Sequence, residues 1–118
     1  MRVVAIAAAA LLLAGCSVQP LEPDTVAVIP PQNAGMDALL VGALDITDAC
    51  VTVTTPEGTV TPVFPRDSVS WDGDALVIDG KAHVDGGPVW LGGGQSEVRG
   101  EMHIPEGCPT DVVFLVAG

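Results

Sequence analysis

Apolar residues follow two different patterns along this chain. Residues 3–13 form an unbroken apolar run, and from residue 38 onward apolar residues recur in short β-rich stretches separated by Gly, Pro and Asp. The second pattern predicts strands over Ala38–Ile46, 49–55, 59–64, 69–71, 75–79, 81–84, 89–91 and 112–117, because β-branched runs bounded by turn residues read as strands. The punctuation is strong: Pro56-Glu57-Gly58, Asp72-Gly73-Asp74, Asp79-Gly80, Asp85-Gly86-Gly87 and Gly92-Gly93-Gly94 all carry turn chemistry. Two-residue alternation points Leu76 and Ile78 to one face. In 112–117, Val112, Phe114 and Val116 share a face while Val113 and Leu115 make the other apolar too, which predicts a central strand covered on both sides. A helix of ordinary length has no place to sit, apart from one turn near 95–102.

The strand-rich part, 37–118, is about 80 residues, enough for one small core. Many short strands at close spacing predict an all-β fold, a small OB-like or partly open antiparallel barrel, since closure manages exposed strand edges. Residues 17–36 differ. They hold Pro20, Pro23, Pro30 and Pro31, and proline fixes φ and removes donors, so the stretch reads as an extended spacer of about 3.1 Å per residue. Val26, Val28 and Ile29 offer the alternative of a strand added to the domain.

The first pattern has another meaning. Arg2, the apolar run 3–13 and the small pair Ala14-Gly15 give the charged, apolar, small-residue order of a secretory leader. A transmembrane helix needs about 20 apolar residues, and this run is shorter. The tetrad Leu13-Ala14-Gly15-Cys16 resembles the lipobox of bacterial lipoproteins. That resemblance implies that a diacylglyceryl group is joined to the Cys16 thiol, that 1–15 is removed, and that 16–36 is the lipidated N-terminus and tether. The domain is then expected on the extracytoplasmic face of a membrane, held by lipid. Two acyl chains anchor stably where one does not.

With Cys16 assigned to lipid, the three cysteines reduce to Cys50 and Cys108. Outside the cytoplasm two thiols in a small domain normally pair, so a disulfide is expected between the head of the second predicted strand and the loop before the last. No Cys-x-x-Cys or metal-ligand spacing competes with it.

Removal of 1–15 leaves Arg66, Lys81 and Arg99 against fifteen acidic residues, a net charge of −12. Nucleic acid and anionic lipid surfaces would be repelled, and a basic protein partner at the cell surface is compatible. A monomer is expected. Residues suited to catalysis are few. His83 and His103 have no second ligand at close spacing, and Ser68, Ser70 and Ser96 lack a nucleophile-elbow motif. Asp72, Asp74, Asp79 and Asp85 could approach a Ca²⁺ ion, but Asp-Gly pairs between strands are first of all hairpin turns. Gly92-Gly93-Gly94 reads as a bulge or tight loop, and Phe64, Trp71 and Trp90 as core, with a binding face as the alternative if two of them lie exposed. No cofactor, metal or enzymatic activity is expected.

The elements Gly42-Ala43-Leu44, Cys50-Val51, Pro62-Val63-Phe64-Pro65, Leu91-Gly92-Gly93-Gly94 and Cys108-Pro109 resemble those of small uncharacterised secreted domains of high-GC bacteria, a group that implies no known activity. The lysozyme-inhibitor lipoproteins are a second resemblance, through the lipobox and a small disulfide-bearing barrel. This chain lacks their Ser-Gly and Tyr/Thr-Lys-Gly elements. The function expected is therefore a lipid-anchored binding or envelope-structural module. Inhibition of a basic secreted enzyme such as a lysozyme, and a small hydrolase or metal-dependent enzyme, are the alternatives.

Overall fold

The computed structural model describes residues 25–31 and 37–117. The expected leader 1–15, the expected lipidation residue Cys16 and most of the expected tether lie outside them. Nine strands form: β1 (Ala27–Ile29), β2 (Ala38–Ile46), β3 (Val51–Thr55), β4 (Gly58–Pro65), β5 (Val69–Asp72), β6 (Ala75–Ile78), β7 (Lys81–His83), β8 (Pro88–Ser96) and β9 (Val113–Val116), with one 3-10 turn at Arg66–Ser68. No α-helix is present among the described residues.

Five strands close a barrel. The antiparallel pairs β3–β4, β2–β3, β2–β8 and β8–β9 run round it, and the parallel pair β4–β9 completes the circuit. Counting only barrel strands, the first pairs with the second and fourth, and the third with the fifth, which is the order of an OB barrel. The expected all-β, OB-like, disulfide-stapled fold is thus present, with a closed barrel rather than a partly open one. β2 achieves its double pairing by giving residues 38–43 to β8 and residues 43–46 to β3.

A three-stranded meander, β5-β6-β7, carries the chain from β4 to β8. Asp72↔Ala75 and Ile78↔Lys81 pairings leave two-residue loops at Gly73-Asp74 and Asp79-Gly80. Asp79 takes a positive φ of 49° and Gly80 one of 83°, the signs that a type I′ hairpin demands of both central residues. Val69, Leu76 and Ile78 of the meander join the barrel interior, where Leu44, Val53, Phe64, Val89 and Phe114 are buried. The anticipated inward pair Leu76 and Ile78 is there.

A second apolar cluster lies outside the barrel: Ala27, Ile29, Val63, Val113 and Leu115, with Met102 and Ile104 packed on it. β9 therefore divides as its sequence predicts, Phe114 and Val116 inward and Val113 and Leu115 outward, both faces covered. Two elements do the covering. β1 pairs parallel with β4, and the long β8–β9 connection, 97–112, crosses as a strap, bridged to β1 by Val28 and His103 in both directions at 2.9 and 2.8 Å.

Three expectations change. Residues 25–29 belong to the domain and not to the spacer: Val26 to Ile29 are fully buried, and Val51 N–H donates to the Thr25 carbonyl at 2.8 Å. The run Thr-Val-Ala-Val-Ile is apolar on both faces and only a position between two layers buries both. β8 runs through Gly92-Gly93-Gly94 as far as Ser96 instead of stopping at 91, so the glycines are strand residues, neither bulge nor loop, and within 95–102 a single hydrogen-bonded turn forms, from Met102 N–H to the Arg99 carbonyl at 3.0 Å. Trp90 is not core. Phe64 is fully buried and Trp71 packs half-buried on the interior, but Trp90 is 64% exposed.

Two buried threonines provide a matched test of how the strap is held. The Thr61 hydroxyl donates to the Pro109 carbonyl at 2.6 Å, whereas the buried Thr25 hydroxyl has no partner among the described residues. Replacing Thr61 by the isosteric valine removes a satisfied bond and is expected to destabilise by about 1 kcal/mol. Thr25→Val removes an orphan hydroxyl and is expected to be neutral or stabilising by up to about 1 kcal/mol. Urea unfolding of both variants checks the opposite signs; equal losses would show that the Thr61 bond does not hold the strap.

Candidate functional site

The disulfide determines which side of the barrel remains open. The β2–β3 turn, 47–50, is organised by Thr47, whose hydroxyl accepts from the N–H groups of Ala49 and Cys50 and donates to the Cys50 carbonyl. Cys50 then bonds Cys108 of the strap, with Cα atoms 4.9 Å apart. OB barrels generally bind ligands on the face of their second and third strands, between the first–second and fourth–fifth loops. Here the strap is the fourth–fifth loop, it is fastened to the first–second turn, and Thr52, Thr61 and Val63 beneath it are buried. That face is closed by the chain itself.

The opposite wall is open. By the two-residue period of a strand, β2 and the residue before it present Asp37, Leu39, Val41, Ala43 and Asp45 outward, all exposed, while Leu40 and Leu44 are buried inside. β8 presents Pro88, Trp90 and Gly92 in register: Val41 lies opposite Trp90, Ala43 opposite Pro88 and Leu39 opposite Gly92. The six central positions of this wall carry no polar side chain. Leu39 is 64% exposed and Val41 44%. Together with Trp90 they make three of the five exposed large hydrophobics of the described residues, gathered on two neighbouring strands. Contiguous exposed apolar area of this kind marks an interaction surface more often than scattered single residues do.

Two grooves flank the wall. One, of about 520 Å³, has Leu39 and Val41 on its side with Glu57 and Gln95 opposite. The other, of about 320 Å³, runs between the meander and the barrel, bordered by Trp90 and Gly92 on one side and Asp79, Lys81 and His83 on the other. Thirteen of the fifteen acidic residues lie among the described residues and every one is exposed.

The residues considered for catalysis do not gather. His83 borders the second groove with its Nδ1 3.0 Å from the Lys81 carbonyl, whereas His103 is on the strap against Val28. Asp72, Asp74 and Asp79 stand at the meander turns, and Asp85 instead accepts the Ile46 N–H at 2.8 Å, fastening the β7–β8 loop to β2. No group of three His, Cys, Asp or Glu side chains able to hold a metal ion occurs among the described residues. Sequence reasoning found the disulfide and missed the wall. Its signal was present in the uninterrupted apolar run from Ala38 to Leu44, which is apolar on both faces just as β9 is.

Fold and site together define a small, acidic, disulfide-stapled barrel of OB strand order, shut on its usual ligand face and open on an apolar wall of β2 and β8. No protein-family model matches the chain, and no curated protein or solved structure does.

Proposed function

We propose that this chain is a lipid-anchored, extracytoplasmic binding module that docks a partner on the outer wall of β2 and β8. One observation carries the binding reading. Of the strands whose sequence is apolar on both faces, β1 and β9 are covered on both by the chain itself, but β2 is covered on one only, leaving Leu39 and Val41 to solvent beside Trp90. The anchor reading rests on Leu13-Ala14-Gly15-Cys16, and the disulfide supports an oxidising compartment. Inhibition of a basic secreted enzyme is a narrower form of the same reading, favoured by the exposure of the acidic residues.

Two measurements test it. Cys16→Ser is expected to abolish acyl labelling and to move the protein from the membrane fraction or leave it unprocessed; membrane attachment that persists without label would remove the anchor. Crosslinking on intact cells from position 41 is expected to trap a partner, and Trp90→Ala to lose it. Identical trapping by the variant would show that the wall is not the site.

A further inference from the structure

We infer that the partner of the β2–β8 wall is a basic polypeptide with an apolar centre, an inference that rests on the binding reading above and specifies its chemistry. The apolar positions form a strip whose ends along β2 are carboxylates, Asp37 and Asp45. At about 3.3 Å per residue these stand roughly 26 Å apart. The flanking grooves set Glu57 beside Leu39 and Val41, and Asp79 beside Trp90. The apolar centre is thus bordered by carboxylates in both directions, and Lys81 and His83, both in the second groove, are the basic side chains lining either. None of these four carboxylates forms a salt bridge among the described residues.

The geometry selects the occupant. An aromatic and two aliphatic side chains at the centre of a face, ringed by charge, is the arrangement in which apolar anchors supply affinity and the rim supplies complementarity and approach rate. A ring of carboxylates favours Lys and Arg on the partner. A second copy would bring like charge to like, since its own wall has the same acidic border and the domain has few cations to offer. An anionic lipid surface is disfavoured for the same reason. Residues 38–42 of β2 pair with β8 alone, β3 pairing only from Ala43 onward, so what the wall presents over its length is its row of apolar side chains. The docking inferred is through these side chains, and Trp90→Ala tests it.

The full chain as isolated from expressing cells, disulfide intact, is titrated by calorimetry with three synthetic peptides of about ten residues, long enough to span the strip. They are alternating Leu-Lys, alternating Leu-Glu and alternating Ser-Lys. The Leu-Lys peptide is expected to bind, more than tenfold more weakly to Trp90→Ala, and with a similar loss and a flattened salt dependence to the combined variant Asp37→Asn, Asp45→Asn, Glu57→Gln, Asp79→Asn. All the substituted side chains are exposed, and Asn tolerates the positive φ of position 79, so urea midpoints near that of the parent confirm that the fold is kept. Equal binding of the Ser-Lys peptide would reduce the effect to bulk charge and overturn the inference. Equal binding of the Leu-Glu peptide through Trp90 would overturn it too while leaving the docking wall in place. Self-association abolished by Trp90→Ala would make a second copy the occupant and reject the basic partner. Failure of all three peptides rejects the inference, and the crosslinking result then decides separately whether the wall binds anything.

Discussion

Replacing both Cys50 and Cys108 by serine is expected to lower the unfolding free energy by about 4 kcal/mol, the chain-entropy value for closing a loop of 58 residues. Domains of this size are stable by only about 5–15 kcal/mol, so the loss is a large share of the whole. The location of the bond adds a structural consequence. It fastens the strap 97–112 to the β2–β3 turn, and the strap is what Met102 and Ile104 use to cover Ala27, Ile29, Val63, Val113 and Leu115. Without the bond, the ties on that side include the Val28–His103 bridge and the bonds of Thr61 to the Pro109 and Val112 carbonyls, and these should open before the barrel does. Hydrogen exchange at the Val28 and His103 amides is therefore expected to speed up beyond the global destabilisation, and a hydrophobic dye to bind the reduced protein under native conditions. Exchange at these amides that simply follows global unfolding would show that the strap and barrel melt as one unit, with the disulfide acting on the unfolded chain alone.

The sequence made some elements plain because one physical requirement at a time was written there. Two-residue loops need positive φ, and Asp79-Gly80 announced its hairpin. β9 is apolar at all four of its positions, and the structure covers both its faces. The odd cysteine count, once Cys16 is set aside, left a single pairing. Other elements were hidden where two requirements compete. Thr25 to Ile29 is a strand run followed directly by Pro30-Pro31, and proline density favoured the spacer; burial on two faces outweighed it. The triple glycine scores as loop on propensity, yet β8 needs glycine to pass close to β9. Trp90 was unreadable for a different reason: Val89, Trp90 and Leu91 are all apolar, so the run has no alternation from which to tell an inner from an outer face. The candidate site is made of such positions, and only pairing register separated Leu40 from Leu39 and Val41. A doubly apolar strand states that both faces seek cover. It does not state that this chain supplies both covers, and at β2 it supplies one.

The glycine triplet gives the other large effect, through a contrast between neighbours. Gly93 has φ of +152°, and a Cβ placed on it would overlap the Leu115 carbonyl oxygen and lie 2.9 Å from Phe114 Cε1. Neither neighbour can yield cheaply, since the oxygen belongs to the paired strand β9 and Phe114 is packed in the interior. Gly42 on β2 is crowded in the same way, by the Thr54 carbonyl oxygen and by Val53 Cγ1 at 2.7 Å. Both sit on strands that must curve sharply to pair on two sides of a five-stranded barrel, and curvature there brings backbones together where a side chain would stand. Gly93→Ala is therefore expected to cost about 3 kcal/mol or more, combining strained backbone with overpacking against main chain. Gly92, one residue earlier, faces outward with an ordinary φ, and a methyl group placed on it would meet nothing within 4 Å; Gly92→Ala is expected to change stability by less than about 0.5 kcal/mol. Thermal and urea unfolding of the two single variants distinguishes them directly. Because Gly92 lies on the apolar wall opposite Leu39, its alanine variant also enlarges that wall without disturbing the fold. Equal tolerance at 92 and 93 would mean that β8 does not pass β9 as closely as the barrel requires, and the closure through β8 and β9 would have to be redrawn.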